Sequence, residues 1–156
     1  ALHRNAALQE EIATDQELFS MFFDKAIAYL EQAASLEAEN EEILIELGLS
    51  YIQSGRQENS MQGIQTLVKV TELNPENAEA AYHLGMFSLQ TGQFEKAEKR
   101  FEKVVEVQPG NLPARLQLAD TKRQLGKEAE ANSLYKELAS QTFDPQIAAE
   151  AEKRLK

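Results

Sequence analysis

Apolar residues recur along most of the chain at the three- and four-residue spacings of amphipathic helices. Short segments interrupt this pattern: "QSGRQ", "QTGQF" and "QLGKE" each hold one glycine, and "LNPEN" and "VQPGN" each hold one proline. Glycine tolerates the left-handed backbone of tight turns, and proline stops a helix because it has no amide hydrogen. The pattern therefore predicts an all-α chain of helices joined by short turns.

One segment of the sequence occurs more than once, with different residues at its surface positions. Residues 94–111, "FEKAEKRFEKVVEVQPGN", align with residues 23–40, "FDKAIAYLEQAASLEAEN", and both segments end on asparagine. Pro75 and Pro109 lie 34 residues apart, and a third copy runs from about 112 to 145. The repetition predicts helix pairs that stack, since a single pair cannot bury its apolar face alone.

Small residues occur at matching places in the two helices of each predicted pair. The first helices carry Gly48, Gly85 and Ala119, and the second helices carry Gly63, Ala97 and Ala131. Small side chains let two helix backbones approach closely, and large residues then interlock around the contact. The large residues at these positions are Leu47, Leu84 and Leu118 on the first helices and Leu67, Phe101 and Tyr135 on the second. We interpret all of these residues as packing positions.

This pattern resembles the tetratricopeptide repeat family over most of the 156 residues. The resemblance implies a right-handed α–α superhelix of antiparallel helix pairs with a C-terminal capping helix. The expected units are a degenerate first repeat (7–40), a repeat with a three-residue insertion (41–77), two further repeats (78–111 and 112–145) and the capping helix (146–156). The insertion is expected between the two helices of its repeat. The first repeat is expected to have one helix within 7–20 and a second from Phe23 to Asn40, although Glu10, Thr14 and Glu17 depart from the family pattern.

The resemblance also implies where a partner binds. In tetratricopeptide arrays, the first helices of successive units line a concave surface that commonly holds an extended or helical peptide. The matching positions here are Glu42, Ile45, Glu46, Leu49, Ile52, Glu79, Tyr82, His83, Met86, Leu89, Leu116, Gln117, Asp120 and Arg123. The apolar members are expected to form a strip exposed to water, which marks an interaction site. Three occupants are left open: an apolar segment of a partner, the chain's own N-terminal helix, or a second copy.

One subclass of the family does not fit. Chaperone-binding members grip a terminal carboxylate with Lys and with Asn or Arg on their inner helices. The matching positions are Ile45, Leu49, His83, Pro113 and Gln117 in one frame, and Glu11, Asp15, Glu46, Glu79 and His83 in the other. Neither frame supplies the cations, so we do not expect a carboxylate clamp of that kind.

Two basic residues of the third repeat replace the large apolar residues usual at their positions. They are Arg115 and Lys122, and Arg123 adjoins them. One explanation is that their long stems cover apolar surface while the charges stay in water. The alternative is a polarised groove that is basic near Lys122 and Arg123 and would favour a partner with opposite charges at its two ends. The acidic end of that groove would be formed by Glu42, Glu46 and Glu79.

Composition narrows the classes of partner and chemistry. The net charge is −10, which disfavours nucleic acid, and residues 1–60 hold twelve acidic against three basic side chains, which we interpret as a solvated face. No cysteine is present, so disulfides, thiolate zinc sites and thiol nucleophiles are excluded. No apolar run reaches the length of a membrane span. The chain begins with Ala1, so we expect a processed or excised piece, cytoplasmic or, given an anchor or signal upstream, periplasmic or membrane-tethered.

No constellation of residues predicts catalysis. His3 and His83 are the two histidines, and neither has a second metal ligand at a productive spacing. The adjacent acids Glu41 and Glu42 face different directions on a helix, so they cannot converge on one substrate. No glycine-rich phosphate loop and no G-x-S-x-G motif occurs. We therefore predict no catalytic residue, no metal and no cofactor.

The predicted function is a non-catalytic protein–protein interaction scaffold. Its groove is expected to bind a peptide or helix with apolar anchors, with assembly of other proteins as one setting suggested by analogy of fold. A structural homodimer is the first alternative, because Leu18, Phe19, Met21, Phe22 and Phe23 form a dense apolar cluster near the N-terminal end. The second alternative is a regulatory domain of a larger protein.

Overall fold

The computed structural model describes the backbone of residues 2–141 and 143–155 and the side chains of residues 17–140 and 143–155. Over this part of the chain, every regular element is a helix. The helices are α1 (Leu2–Leu36), α2 (Glu41–Gln53), α3 (Gln57–Leu73), α4 (Ala78–Gln90), α5 (Phe94–Val107), α6 (Leu112–Gln124), α7 (Glu128–Gln141) and α8 (Pro145–Arg154). They form two compact units, one that ends at Leu73 and one that begins at Asn74.

The first unit consists of α1, α2 and α3. The C-terminal half of α1 packs on α2, where Ile27 meets Leu47 and Tyr51, with Leu30 and Ala34 beside them. Helix α3 pairs with α2, and its Leu67 and Val70 are fully buried.

The second unit consists of two helix pairs and a last helix. Helix α4 pairs with α5, α6 pairs with α7, and α5 packs against α6. Phe101 joins α5 to α6 through its cluster with Ala97 and Leu118. Helix α8 lies on α7 and α6, and its Ala151 is fully buried in their shared core. The last helix therefore covers apolar surface, as a capping helix does.

The asparagine at the end of each repeated segment is the N-cap of the following helix. The Oδ1 atoms of Asn40, Asn77 and Asn111 accept hydrogen bonds from the backbone amides of Ile43, Ala80 and Ala114, at 3.2, 2.8 and 3.1 Å. Such a cap satisfies an amide that has no partner within the helix. The asparagine recurs because each repeat must start a new helix at that place.

The glycine turns predicted from the sequence are present. Gly55, Gly92 and Gly126 have φ values of 71°, 71° and 73°, and each lies in the three-residue loop between the helices of a pair. This left-handed backbone is accessible to glycine at little cost, whereas a side chain makes it strained. A glycine in the loop therefore lets the second helix of each pair turn back along the first.

The close approach of paired helices is also confirmed. A Cβ atom built on Gly63 would lie 2.4 Å from the carbonyl oxygen of Gly48, and one built on Gly48 would lie 2.9 Å from Cγ of Leu67. A Cβ atom on Gly85 would lie 2.8 Å from the ring of Phe101. The spaces beside these glycines are thus filled by the neighbouring helix, and no larger residue fits without a shift.

The N-terminal region differs from the predicted pair of helices. Helix α1 is continuous over Leu2–Leu36, so no turn separates a first helix within 7–20 from a second helix after Phe23. The alignment gives the reason: "SMFF" at residues 20–23 stands where "TGQF" at residues 91–94 makes a turn, so Met21 replaces Gly92. Methionine disfavours the left-handed turn and is a good helix former, so the helix continues.

The three-residue insertion is part of a helix, although it was predicted to lie between the two helices of its repeat. The loop between α2 and α3 has three residues, the same length as the loops before α5 and α7. Helix α3 instead has 17 residues against 14 in α5, and the extra residues precede Gly63 at its N-terminal end. The sequence "QENSMQG" carries no glycine or proline before Gly63, so nothing stops the helix from extending in that direction.

Candidate functional site

The predicted binding face of the first unit lies on α2. Glu42 and Glu46 are exposed, and Leu49 and Ile52 are half-buried. Ile45 is 3% exposed, so the prediction that it belongs to a water-exposed strip is wrong. A helical period of 3.6 residues places Ile45 on the same side as Leu49, but it cannot show how deeply the neighbouring helices enclose that side. The exposed apolar surface of α2 is therefore smaller than expected.

The corresponding face of the second unit lies on α4. Glu79 is exposed, and Tyr82, His83, Met86 and Leu89 are half-buried. The Tyr82 ring meets the rings of Phe101 and His83 edge-on, with centroids 5.8 and 5.7 Å apart. Met86 and Leu89 pack against the cluster of Ala97, Phe101 and Leu118. The inner part of each apolar side chain is thus fixed by the core while the outer part faces water.

The third predicted face, on α6, is largely internal. Leu116 is 6% exposed and belongs to the core that α6 forms with α7 and α8, so the prediction that it lines an exposed strip is wrong. The members of this core are Leu116, Ala119, Ala131, Tyr135, Leu138 and Ala151. The reason is the capping helix: Ala151 of α8 completes the cluster that covers Leu116.

Asp120 and Arg123 of α6 hold α8 in place. The Asp120 carboxylate accepts hydrogen bonds from the Tyr135 hydroxyl and from Nε of Arg154, both at 2.6 Å. Arg123 donates to the Arg154 carbonyl oxygen at 3.0 Å and lies over the Tyr135 ring, 5.1 Å from its centroid. Burial and the hydrogen bond to Asp120 raise the pKa of the Tyr135 hydroxyl well above its usual range. Both predicted groove residues therefore have structural partners within their own unit.

A cleft of about 770 Å³ opens between α4, the start of α5, α6 and α8 in the second unit. Its apolar wall is formed by Leu89 and Phe94, and its polar wall includes Asp120, Arg123, Lys153 and Arg154. Arg154 pairs with Asp120 and Glu150, and Arg123 also lies 3.6 Å from Asp120, so the three cations of the lining exceed its two acids by one charge. The cleft extends the apolar face of α4 into a partly cationic surface.

Lys122 does not provide the basic end of a groove. Its Nζ atom lies 2.8 Å from Glu98, 3.0 Å from Glu102 and 2.8 Å from Glu130, and its side chain is 10% exposed. Burial opposes the charge of Lys122, but the hydrogen bonds that its ammonium donates to the three carboxylates outweigh burial and raise the pKa of the ammonium. Both explanations given for Lys122 are therefore wrong, because the charge is neither in water nor directed at a partner.

Sequence reasoning missed Glu98, the centre of this ion cluster. Glu98 is 8% exposed and accepts hydrogen bonds from both Lys122 and Lys127, at 2.8 and 2.7 Å. A signal was present, since Glu98 directly follows the packing residue Ala97 and Lys122 replaces an apolar residue on the next helix. A buried acid and a buried base on neighbouring helices are expected to pair.

Within the part of the chain that the structure describes, no three His, Asp or Glu side chains gather in a way that could hold a metal ion. No helix there is both long and apolar enough to span a bilayer.

Comparisons with known proteins agree with the helix pairs. A family model described as a tetratricopeptide repeat matches residues 62–107 and 89–152, together more than half of the chain. Solved structures share the fold at low identity. MamA AMB-1 is 24% identical, covering 85% of this chain and 81% of its own, with a TM-score of 0.67.

Two other solved structures are similar. A tetratricopeptide repeat protein from Parabacteroides merdae is 24% identical, covering 97% of this chain and 62% of its own, with a TM-score of 0.72. TTC0263, a thermophilic protein of the same kind from Thermus thermophilus, is 18% identical, with coverages of 86% and 73% and a TM-score of 0.69. No curated protein sequence matches the chain. On the family match and the helix pairs, the chain belongs to the tetratricopeptide repeat family, as its repeats predicted.

Proposed function

We propose that this protein is an interaction scaffold. It binds an apolar-anchored segment of another protein on the face of α4 that carries Tyr82, Met86 and Leu89. The observation that carries the proposal is the row of half-exposed apolar side chains Tyr82, Met86 and Leu89 on that helix. Membership of the tetratricopeptide repeat family supports the general role of a scaffold. The setting we propose, assembly of other proteins, rests on the family alone.

The spacing of these residues suits a helical or extended partner. Tyr82, Met86 and Leu89 follow one another at four and three residues, so they form one continuous stripe along α4. Recognition of an amphipathic helix in a groove uses anchors at the same spacing. The stripe is about 10 Å long from Tyr82 to Leu89, which corresponds to two turns of a helix.

The packing of the stripe lowers the cost of binding. Tyr82 is braced by the ring of Phe101, and Met86 and Leu89 rest on the same core cluster. Side chains that are already ordered lose little conformational entropy when a partner covers them. The α4 face is therefore prepared to bind without rearrangement of the unit.

The charges at the two ends of the stripe are expected to set the orientation of the bound segment. Glu79 lies at the N-terminal end of the stripe, and Arg123 and Lys153 line the cleft beyond Leu89. We therefore expect the bound segment to carry a basic residue near Glu79 and an acidic residue near the cleft. This polarity replaces the one predicted around Lys122.

The stripe is tested with one substitution and a matched control. Met86→Glu places a charge in the stripe, whereas Met61→Glu places the same charge on the exposed surface of α3, where Met61 is 62% exposed. Proteins captured from a source-cell lysate by the unmodified chain are compared with those captured by each variant. The captured segment is then synthesised and titrated.

We expect Met86→Glu to weaken binding of that segment by at least about tenfold and Met61→Glu to leave it within about twofold. Circular dichroism and thermal unfolding must first show that Met86→Glu remains folded. Equal affinities for a folded Met86→Glu and for Met61→Glu would refute the α4 face as the binding surface.

A further inference from the structure

Helix α1 has the packing positions of a second helix of a pair but lacks the helix that should cover them. In α3, α5 and α7, the three positions that face the first helix of the pair are fully buried, or nearly so. They are Gly63, Leu67 and Val70; Ala97, Phe101 and Val104; and Ala131, Tyr135 and Leu138. The equivalent residues of α1 are Ala26, Leu30 and Ala33, and all three are only half-buried. One side of the first unit is therefore incomplete.

The same chain cannot supply the missing helix. In the repeat pattern, this helix corresponds to residues within 7–20, which here form the N-terminal part of the continuous α1. In a straight helix, residues 14 and 26 lie about 18 Å apart along the axis, so the first cannot cover the second. Met21 stands at the position of the turn glycine, and this prevents α1 from folding back on itself.

Apolar side chains at the missing turn and just before it indicate that this part of α1 is covered. Leu18, Phe19, Met21 and Phe22 are 47%, 57%, 45% and 62% exposed and point in several directions around the helix. A helix face this broadly apolar normally packs against another element. Phe19 contacts the ring of Phe23 with centroids 4.7 Å apart, so one edge of this apolar group adjoins the incomplete side.

We infer that two copies of this chain exchange their N-terminal arms, defined as residues 2–20. The arm of each copy takes the place of the missing first helix and covers Ala26, Leu30 and Ala33 of the other. Such a dimer has two equivalent contacts related by a two-fold axis, and exchange of an identical element is a common route to dimers.

A second copy is the occupant that the repeat itself specifies. The arm has the right place in the repeat pattern, because residues 7–20 precede Phe23 as the first helix of each other pair precedes the second. The inference concerns the first unit and does not depend on the binding of a partner at α4.

The first test changes the turn and measures mass. Met21→Gly/Phe22→Gln restores the residues of the α4–α5 turn, and Met21→Ala/Phe22→Gln is the matched control that keeps a helical residue. By light scattering after gel filtration, we expect the native chain and the control to have twice the monomer mass of 17.5 kDa. The glycine variant should have the monomer mass, with no more helix lost than the three residues of the new turn. A native chain that is monomeric at about 100 µM, or a glycine variant as dimeric as its alanine control, would overturn the inference.

The second test detects the exchanged contact directly. The chain has no cysteine, so Thr14→Cys/Ala26→Cys introduces one pair at the positions equivalent to the touching Gly48 and Gly63. Exchange predicts a covalent dimer after mild oxidation, seen on a non-reducing gel. The same pair in the Met21→Gly/Phe22→Gln background should close within one chain and run as a monomer. Absence of the covalent dimer in the native background would contradict arm exchange, even if the chain is dimeric through another surface.

Discussion

The ammonium of Lys122 lies 2.8 Å from the carboxylate of Glu98, and each of the two side chains is 10% exposed. Glu98 belongs to α5 and Lys122 to α6, so the pair fixes the register of two neighbouring helices. Burial of two opposite charges costs free energy that is recovered only while both partners are present. The pair therefore makes this junction sensitive to the loss of either charge.

Lys122→Met should destabilise the second unit by about 2 kcal/mol. The substitution keeps the apolar stem but leaves the buried Glu98 with Lys127 as its remaining cation, and loss of one partner of a buried pair typically costs about 3–5 kcal/mol. The effect is measured as the free energy of unfolding in urea. Lys127→Met is the control, because this lysine is 41% exposed and should contribute less than about 1 kcal/mol. Equal losses for the two variants would contradict a special role for Lys122.

Acid should weaken the fold through Glu98. Burial raises the pKa of Glu98, but hydrogen bonds from Lys122 and Lys127 outweigh burial and keep it below the usual 4.5. A carboxyl group with a lowered folded-state pKa stabilises the protein above its unfolded-state pKa, and this stabilisation is lost as the pH falls through the folded-state pKa. We therefore expect the free energy of unfolding to decrease as the pH falls below 4.5. Glu98→Gln should show a shallower decrease, and parallel curves would show that other carboxylates are responsible.

Gly63→Ala should be among the most damaging of small substitutions. The new Cβ atom would lie 2.4 Å from the carbonyl oxygen of Gly48, a backbone atom that cannot rotate away, so the two helices must separate. Overpacking of this kind costs about 1–3 kcal/mol, and we expect the upper end. Gly110→Ala is the control, since nothing lies within 4 Å of its Cβ position and its φ is not positive. Thermal unfolding compares the two variants, and similar melting temperatures would disprove the close approach.

Asp120→Ala should loosen α8 more than it loosens the rest of the second unit. The carboxylate joins Tyr135 of α7 to Arg154 of α8, and its removal breaks both hydrogen bonds. Loss of a charged hydrogen bond costs about 1.5–3 kcal/mol. Hydrogen exchange of the α8 amides should become faster by about tenfold or more. Glu150→Ala, which removes an exposed partner of the same arginine, should change the exchange rates little.

The repeat pattern in the sequence was sufficient to predict the helix pairs, the glycine turns and the close contacts. Each of these depends on residues that are small, large or helix-breaking at fixed spacing, and Gly48, Gly63 and Gly92 have the same consequences in any pair of helices. These features depend on the residue types at a few positions of fixed spacing, so a single sequence is enough to predict them.

The burial of individual residues could not be predicted in the same way. Ile45 and Tyr82 occupy equivalent positions, yet Ile45 is buried and Tyr82 is half-exposed. Leu116 is covered because α8 follows the last pair, which the spacing within one helix does not reveal. The charge of Lys122 is compensated by Glu98, 24 residues away, and such a pairing depends on how two helices meet.

The uninterrupted course of α1 has a consequence for the kinetics of assembly. In most exchanged dimers, a closed monomer must first open, and the barrier resembles that of unfolding. Here the arm is already extended in the single chain, so no closed form competes with association. Two differently labelled preparations of an exchanged dimer should therefore mix at the rate at which dimers dissociate, without the long delays that partial unfolding imposes.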